Sequence, residues 1–158
     1  MKAQHNHTAN KQHRAVRYVY LITVLFLTLT GFGQMPIFKR YYIADIPGFG
    51  WLAQFYVTHY IHYLGAILIL GLVSYIIIDY LILQKKSIRL TASGYVRGMI
   101  LVGILVSGIF LVLRNLAGSR FVPEFIIFLD IAHLGLVMTF LIVAGYCMVR
   151  KSRWVTQR

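Results

Sequence analysis

Four stretches of this chain carry no Asp, Glu, Lys or Arg: residues 18–38, 46–78, 99–113 and 131–149. A helix needs about 20 mostly apolar residues to cross the hydrocarbon core of a bilayer, and charges within that core are expensive. The runs predict helices at 15–34, 52–83, 93–116 and 123–149. The second exceeds what the hydrocarbon needs, so it tilts or protrudes. β-barrel strands would alternate polar and apolar residues, and these runs do not. A chain of 158 residues that is 59% apolar and 13% charged departs from the soluble average of about 45–50% and about 25%. A small soluble domain leaves too much of its surface outside to hide that much apolar material. The same figures exclude disorder. The expected fold is all-α: an integral membrane four-helix bundle, one domain over 1–158, with a polar N-terminal tail at 1–14. No internal repeat or low-complexity tract is visible.

The formal charge of +12 invites a nucleic-acid reading, which the distribution opposes. The basic residues sit in short clusters between the apolar runs, as membrane flanks do. Twelve of the 16 Lys and Arg lie in the N-terminal segment, the 84–98 linker and the C-terminal segment. The remaining four are Lys39, Arg40, Arg114 and Arg120. The positive-inside bias therefore puts both termini in the cytoplasm. No small-residue cleavage pattern follows Phe32, so the first run reads as a span rather than a signal peptide. The 34–50 loop, with Pro36, Pro47, Gly48 and Gly50, lies outside. Its Phe38–Ile46 stretch, mixing aromatics with charge, suits either a docking surface or a rest on lipid headgroups. The single cysteine, Cys147, forms no internal disulfide.

Ionisable groups within membrane helices are functional candidates by default. Here they are His59, His62, His133, Asp79 and Asp130, with Glu124 at a helix start, where a carboxylate suits the dipole. Counted from Trp51, His62 lies about 16 Å into its helix and His59 about 12 Å. Counted from Pro123, His133 lies about 15 Å into the fourth. Histidines from two helices at one depth are suited to gripping a haem iron from both faces. His62 matches His133 better than His59, which stays an alternative ligand. A porphyrin face needs small residues beside it: Gly65 follows His62, and Gly135 follows His133. Helix three offers Gly103, Ser107 and Gly108, which equally serve helix packing. Arg114, Arg120, Lys39 and Arg40 offer cations to the propionates.

Other readings use the same residues. A membrane histidine can simply hydrogen-bond to a neighbouring helix. Zinc lacks a completed tetrahedral set unless Asp130 joins. Asp130, one turn before His133, suits an ion pair with Arg114 or His59, or proton exchange with a quinol. Asp79 suits a pair with nearby cations. His5, His7 and His13 fall in the polar tail. Two functions without haem stay open: a membrane anchor or assembly subunit of a larger complex, and a small proton or ion conductor.

With Leu29-Thr30-Gly31-Phe32, His62-Tyr63-Leu64-Gly65, Val106-Ser107-Gly108 and His133, the chain resembles the membrane cytochrome b subunits of respiratory formate dehydrogenases, nickel–iron hydrogenases and thiosulfate reductases. The resemblance implies four helices and a b-type haem. It also implies electron relay between a quinone and an iron–sulfur or cytochrome subunit on the outer face of a bacterial or archaeal cytoplasmic membrane. The chain would act as a subunit of an oxidoreductase rather than as an enzyme alone, with lipid around it and no nucleic-acid partner. Family members hold two haems, the inner one with histidines of helices one and four. Here the first predicted helix has none, and Cys147 stands about four turns after His133. The helix-two glycine follows His62 by three residues rather than the family's four. One bis-histidine haem is implied, nearer the outer face.

The charge bias has a direct test: reporter fusions at Arg158 and within the 39–50 loop are expected to report opposite sides of the membrane. Signals from the same side would contradict the topology.

Overall fold

The computed structural model describes residues 2–35, 37, 41–84, 87–118 and 120–157, with the backbone alone at 2–13 and 83–84. Four long helices dominate: α1 (Lys2–Gly33), α2 (Phe55–Asp79), α3 (Ala92–Leu113) and α4 (Pro123–Val149). A π-helical turn, Tyr80–Gln84, continues α2. The segments Arg14–Gly33, Phe55–Ile82, Ala92–Leu113 and Pro123–Val149 are each long and apolar enough to cross a membrane. The chain divides into two compact units, Met1–Ile78 and Asp79–Arg158, where the sequence reading takes 1–158 as one domain.

In the first unit α1 and α2 run antiparallel. Gln34 meets His59, Thr30 meets His62, and Gly65 lies against Leu27, so one number falls as the other rises. At Gly33 the end of α1 closes on the turn that leads into α2: a Cβ there would come within 2.9 Å of the fully buried Leu52. Two expectations need correction. α1 reaches back to Lys2, so the polar tail is helical in its backbone over 2–14, and the first helix does contain His5, His7 and His13. Residues 2–14 hold neither Pro nor Gly and several good helix formers, so nothing stops the helix there. Only its apolar part is free of histidine. α2 starts at Phe55, not near Trp51. The preceding residues Gly50–Ala53 form a 3₁₀ turn, and Gln54 is extended at φ −82°, ψ 91°. The buried Thr58 hydroxyl secures this entry by donating to the carbonyls of Gln54 (3.0 Å) and Leu52 (3.2 Å).

The second unit is the hairpin of α3 and α4, closed by a turn in which Gly118 takes φ +89°. Pro123 occupies the first turn of α4, where its missing N–H goes unnoticed, and Glu124 stands beside it against the positive end of the helix dipole. At the other end a two-stranded antiparallel ribbon joins β1 (Ile88–Leu90) to β2 (Val155–Gln157), with Arg89 opposite Thr156. Thr91 caps α3 by accepting from the Gly94 N–H at 2.9 Å. Arg97 is buried there. Its guanidinium lies 4.2 Å over the Trp154 ring and donates to the carbonyls of Ser93 (3.0 Å) and Ser152 (3.3 Å). A cation removed from water needs such a set of partners.

Polarity is inverted relative to a water-soluble protein. Buried polar side chains include Thr23, Thr30, Thr58 and Ser107, while Leu25 (71% exposed), Met99 (74%) and Ile142 (70%) face outward. A surface this apolar along four spans fits lipid rather than water. The molecule is a multi-pass, all-α membrane protein.

Candidate functional site

A histidine inside an apolar span must satisfy its ring nitrogens within the protein, because lipid offers no hydrogen bonds. In the first unit His62 does so at Nδ1, against α1. Its Nδ1 lies 2.9 Å from the hydroxyl oxygen of Thr30, a residue with no exposed surface. That hydroxyl also donates to the carbonyl of Phe26 at 2.9 Å, one turn back in its own helix. The next residue, Gly31, lets the ring approach: a Cβ there would sit 3.4 Å from His62 Cε1 and 3.9 Å from Nδ1.

The second unit repeats the arrangement. Nδ1 of His133, on α4, lies 2.9 Å from the hydroxyl oxygen of the buried Ser107 on α3. Ser107 donates to the carbonyl of Gly103 at 2.8 Å, again one turn back. A Cβ on Gly108 would sit 3.4 Å from His133 Cε1 and 3.9 Å from Nδ1. Each hairpin thus carries one unit built from a hydroxyl, a glycine and a histidine, with agreeing distances. The arrangement gives Ser107 and Gly108 a definite task, seating His133.

His59 has a different environment. Its Nδ1 lies 2.8 Å from the Gln34 side-chain oxygen, and its ring is flanked by Phe55 at 5.3 Å and Tyr63 at 4.3 Å between centroids. His62, not His59, therefore corresponds to His133. Depth alone matches His62 to His133 less closely than the sequence suggests. From the true start of α2 at Phe55, His62 lies about 10 Å in, against about 15 Å for His133 in α4. The local geometry is the stronger link between them.

The remaining expected residues divide. Gly65 does not leave a flat gap: Leu27 Cδ2 lies 2.9 Å from where its Cβ would be, so it serves packing within the first hairpin. Gly135 meets nothing within 4 Å of such a Cβ. Arg114 forms an ion pair with Asp130 through Nη1, at 2.9 and 2.8 Å to the two carboxylate oxygens. Of the two pairings considered for Asp130, this is the one formed with Arg114. Arg120 is exposed in the turn between α3 and α4. Cys147 is buried as a free thiol. Lys39 and Arg40 lie outside the described residues, as do the side chains of His5, His7 and His13. Among the described residues, no group of three His, Cys, Asp or Glu side chains is arranged to hold a metal ion.

No family model, curated protein or solved structure matches the chain. The site rests on its own geometry.

The two glycines offer a test of the seating. Alanine at Gly31 or Gly108 brings its methyl to ordinary contact with the imidazole, and helix propensity favours it by about 0.5–1 kcal/mol. Gly31→Val and Gly108→Val push a further methyl into the ring space, an overpacking cost of about 1–3 kcal/mol. Thermal unfolding in detergent is expected to show Ala variants at or above the parent midpoint and Val variants well below it. Equal midpoints for Ala and Val would contradict the close ring approach.

Proposed function

We propose that this chain is a haem b-binding membrane subunit that relays electrons between a quinone pool and a redox partner protein. One observation carries the reading: two apolar hairpins each present a histidine in the same hydroxyl-and-glycine seat. Structural histidines in membrane helices need a hydrogen bond, but nothing requires two of them to share one local design. The donor set fits the group. With Nδ1 of each ring tied to a hydroxyl of its own hairpin, Nε2 is the nitrogen suited to iron.

In this reading His62 and His133 are the axial ligands, one from each hairpin. Bound haem supplies a reversible one-electron change at its iron. The protein supplies the rest. The apolar spans exclude water from the ligands and lower the local dielectric. Gly135 offers a helix face on which a flat ring system meets no side chain of its own position. Arg120, and Arg114 where Asp130 leaves it capacity, bring positive charge to the turn end of the second hairpin, where propionates need it. His59, held by Gln34, is one turn from His62 and acts on the ligand's surroundings rather than on iron. The redox partner is an iron–sulfur or cytochrome subunit docking outside a bacterial or archaeal cytoplasmic membrane. The exposed apolar faces are covered by lipid.

Alanine variants separate these roles when haem content is compared at equal protein. His62→Ala and His133→Ala are expected to lose more than about tenfold of the haem, since even outer-shell changes at metal sites cost about 10–100-fold. His59→Ala is expected to keep the haem with a shifted potential. An intact spectrum in His133→Ala would overturn the haem reading. Loss in His59→Ala with a normal His62→Ala would move the ligand by one turn.

A further inference from the structure

We infer that Thr30 and Ser107 are positioning residues that fix both histidines in the Nδ1–H tautomer, which gives each Nε2 the lone pair an iron ligand needs. The inference rests on the haem reading for its purpose, but its geometry is independent of it.

A hydroxyl carries one proton. In Thr30 that proton is directed to helix carbonyls, Phe26 at 2.9 Å and Leu27 at 3.2 Å, and in Ser107 to those of Gly103 at 2.8 Å and Ile104 at 3.0 Å. A carbonyl cannot donate in return. The hydroxyl oxygen therefore faces the imidazole Nδ1, 2.9 Å away in each case, with its lone pairs. An N–H must fill the contact, so Nδ1 carries the ring proton. A neutral imidazole has only one such proton, and Nε2 is left as the acceptor. Were Nδ1 the bare nitrogen, each hydroxyl would have to abandon its carbonyls to serve it. In both hairpins the carbonyls belong to the residues four and three before the hydroxyl on the same helix, so rigid helical geometry sets the direction of the donor. The glycine beside each hydroxyl brings the ring close enough for the contact to form.

The choice of a hydroxyl has a consequence. Second-shell acceptors on a ligating imidazole raise its basicity. A carboxylate would draw the Nδ1 proton strongly and push the ring toward imidazolate. An uncharged hydroxyl, itself polarised only by backbone carbonyls, does so weakly. The two seats therefore put no charged acceptor on Nδ1 of either ligand, and losing either seat makes its ligand a poorer donor. Poorer donation favours the reduced iron, so the midpoint potential rises. A carboxylate in the same place lowers it.

The test uses the full chain with 15N-labelled histidine, first purified without added haem. Long-range 1H–15N correlation distinguishes protonated from bare ring nitrogens. His62 and His133 are expected as Nδ1–H tautomers. Thr30→Val, nearly isosteric, is expected to shift the His62 population toward Nε2–H without changing His133. Ser107→Ala is expected to do the reverse. Thr30→Ser and Ser107→Thr are expected to restore the parent pattern, which also controls for misfolding. On the haem-loaded protein, Thr30→Val and Ser107→Ala are expected to raise the potential and the conservative exchanges to leave it unchanged. Nε2–H tautomers in the parent chain, or tautomers unmoved by both hydroxyl deletions, would overturn the inference even if haem binds. Nδ1–H tautomers in a chain that binds no haem would uphold the positioning role and overturn the haem reading instead.

Discussion

A hydrogen bond between an imidazole and a helix hydroxyl, made twice, organises this molecule. In water it would be replaceable at little cost. Inside an apolar span an unmatched ring nitrogen has no substitute partner, so the bond ties the two helices of each hairpin at one level. The hydroxyl is satisfied in turn by its own helix, and the adjacent glycine removes the side chain that would hold the ring away. Three residues on two helices thus form a small unit that requires neither charge nor water.

Around this unit, the polar groups have been moved to places where they are answered. Thr58 closes the entry to α2 against backbone carbonyls. Arg97 is enclosed by Trp154 and two carbonyls, and the paired strands hold the C-terminal segment against the start of α3. Arg114 meets Asp130 near the turn of the second hairpin. The apolar residues, by contrast, are spread over the outside. Burial of oil from water does not bind the helices to each other here. Packing of small residues and a few hydrogen bonds does.

The sequence made the four spans legible because absence of charge is a property of composition, visible without contacts. α4 matches its expected range from Pro123 to Val149, where Pro and the following basic cluster mark both ends. The start of α2 is not legible in the sequence because the Gly50–Ala53 turn runs into the helix without a charge, and only the extended Gln54 separates them. The helical backbone of 2–14 is hidden in the sequence because its polarity resembles a boundary, although it lacks helix breakers. The ribbon of β1 and β2 joins three-residue strands far apart in sequence, too short for any alternation to show. His62 and His133 stood out as ionisable groups in oil. Their common seat did not, because the hydroxyl differs, Thr in one and Ser in the other. The separation to the histidine also differs, 32 residues against 26. Thr30-Gly31 and Ser107-Gly108 stand in the sequence only as parts of motifs that carry a family resemblance. Only the matching distances identify them as one device.

Each hairpin seats its histidine in the same way, and the proposed haem would give the two seats a common purpose. Pyridine haemochrome quantification on the purified chain, taken with a reduced-minus-oxidised spectrum, tests this most directly. One low-spin haem b per chain, lost when either His62 or His133 is replaced, is the expected result. A chain that purifies folded and never takes up haem, or one that binds two haems unaided, would contradict it.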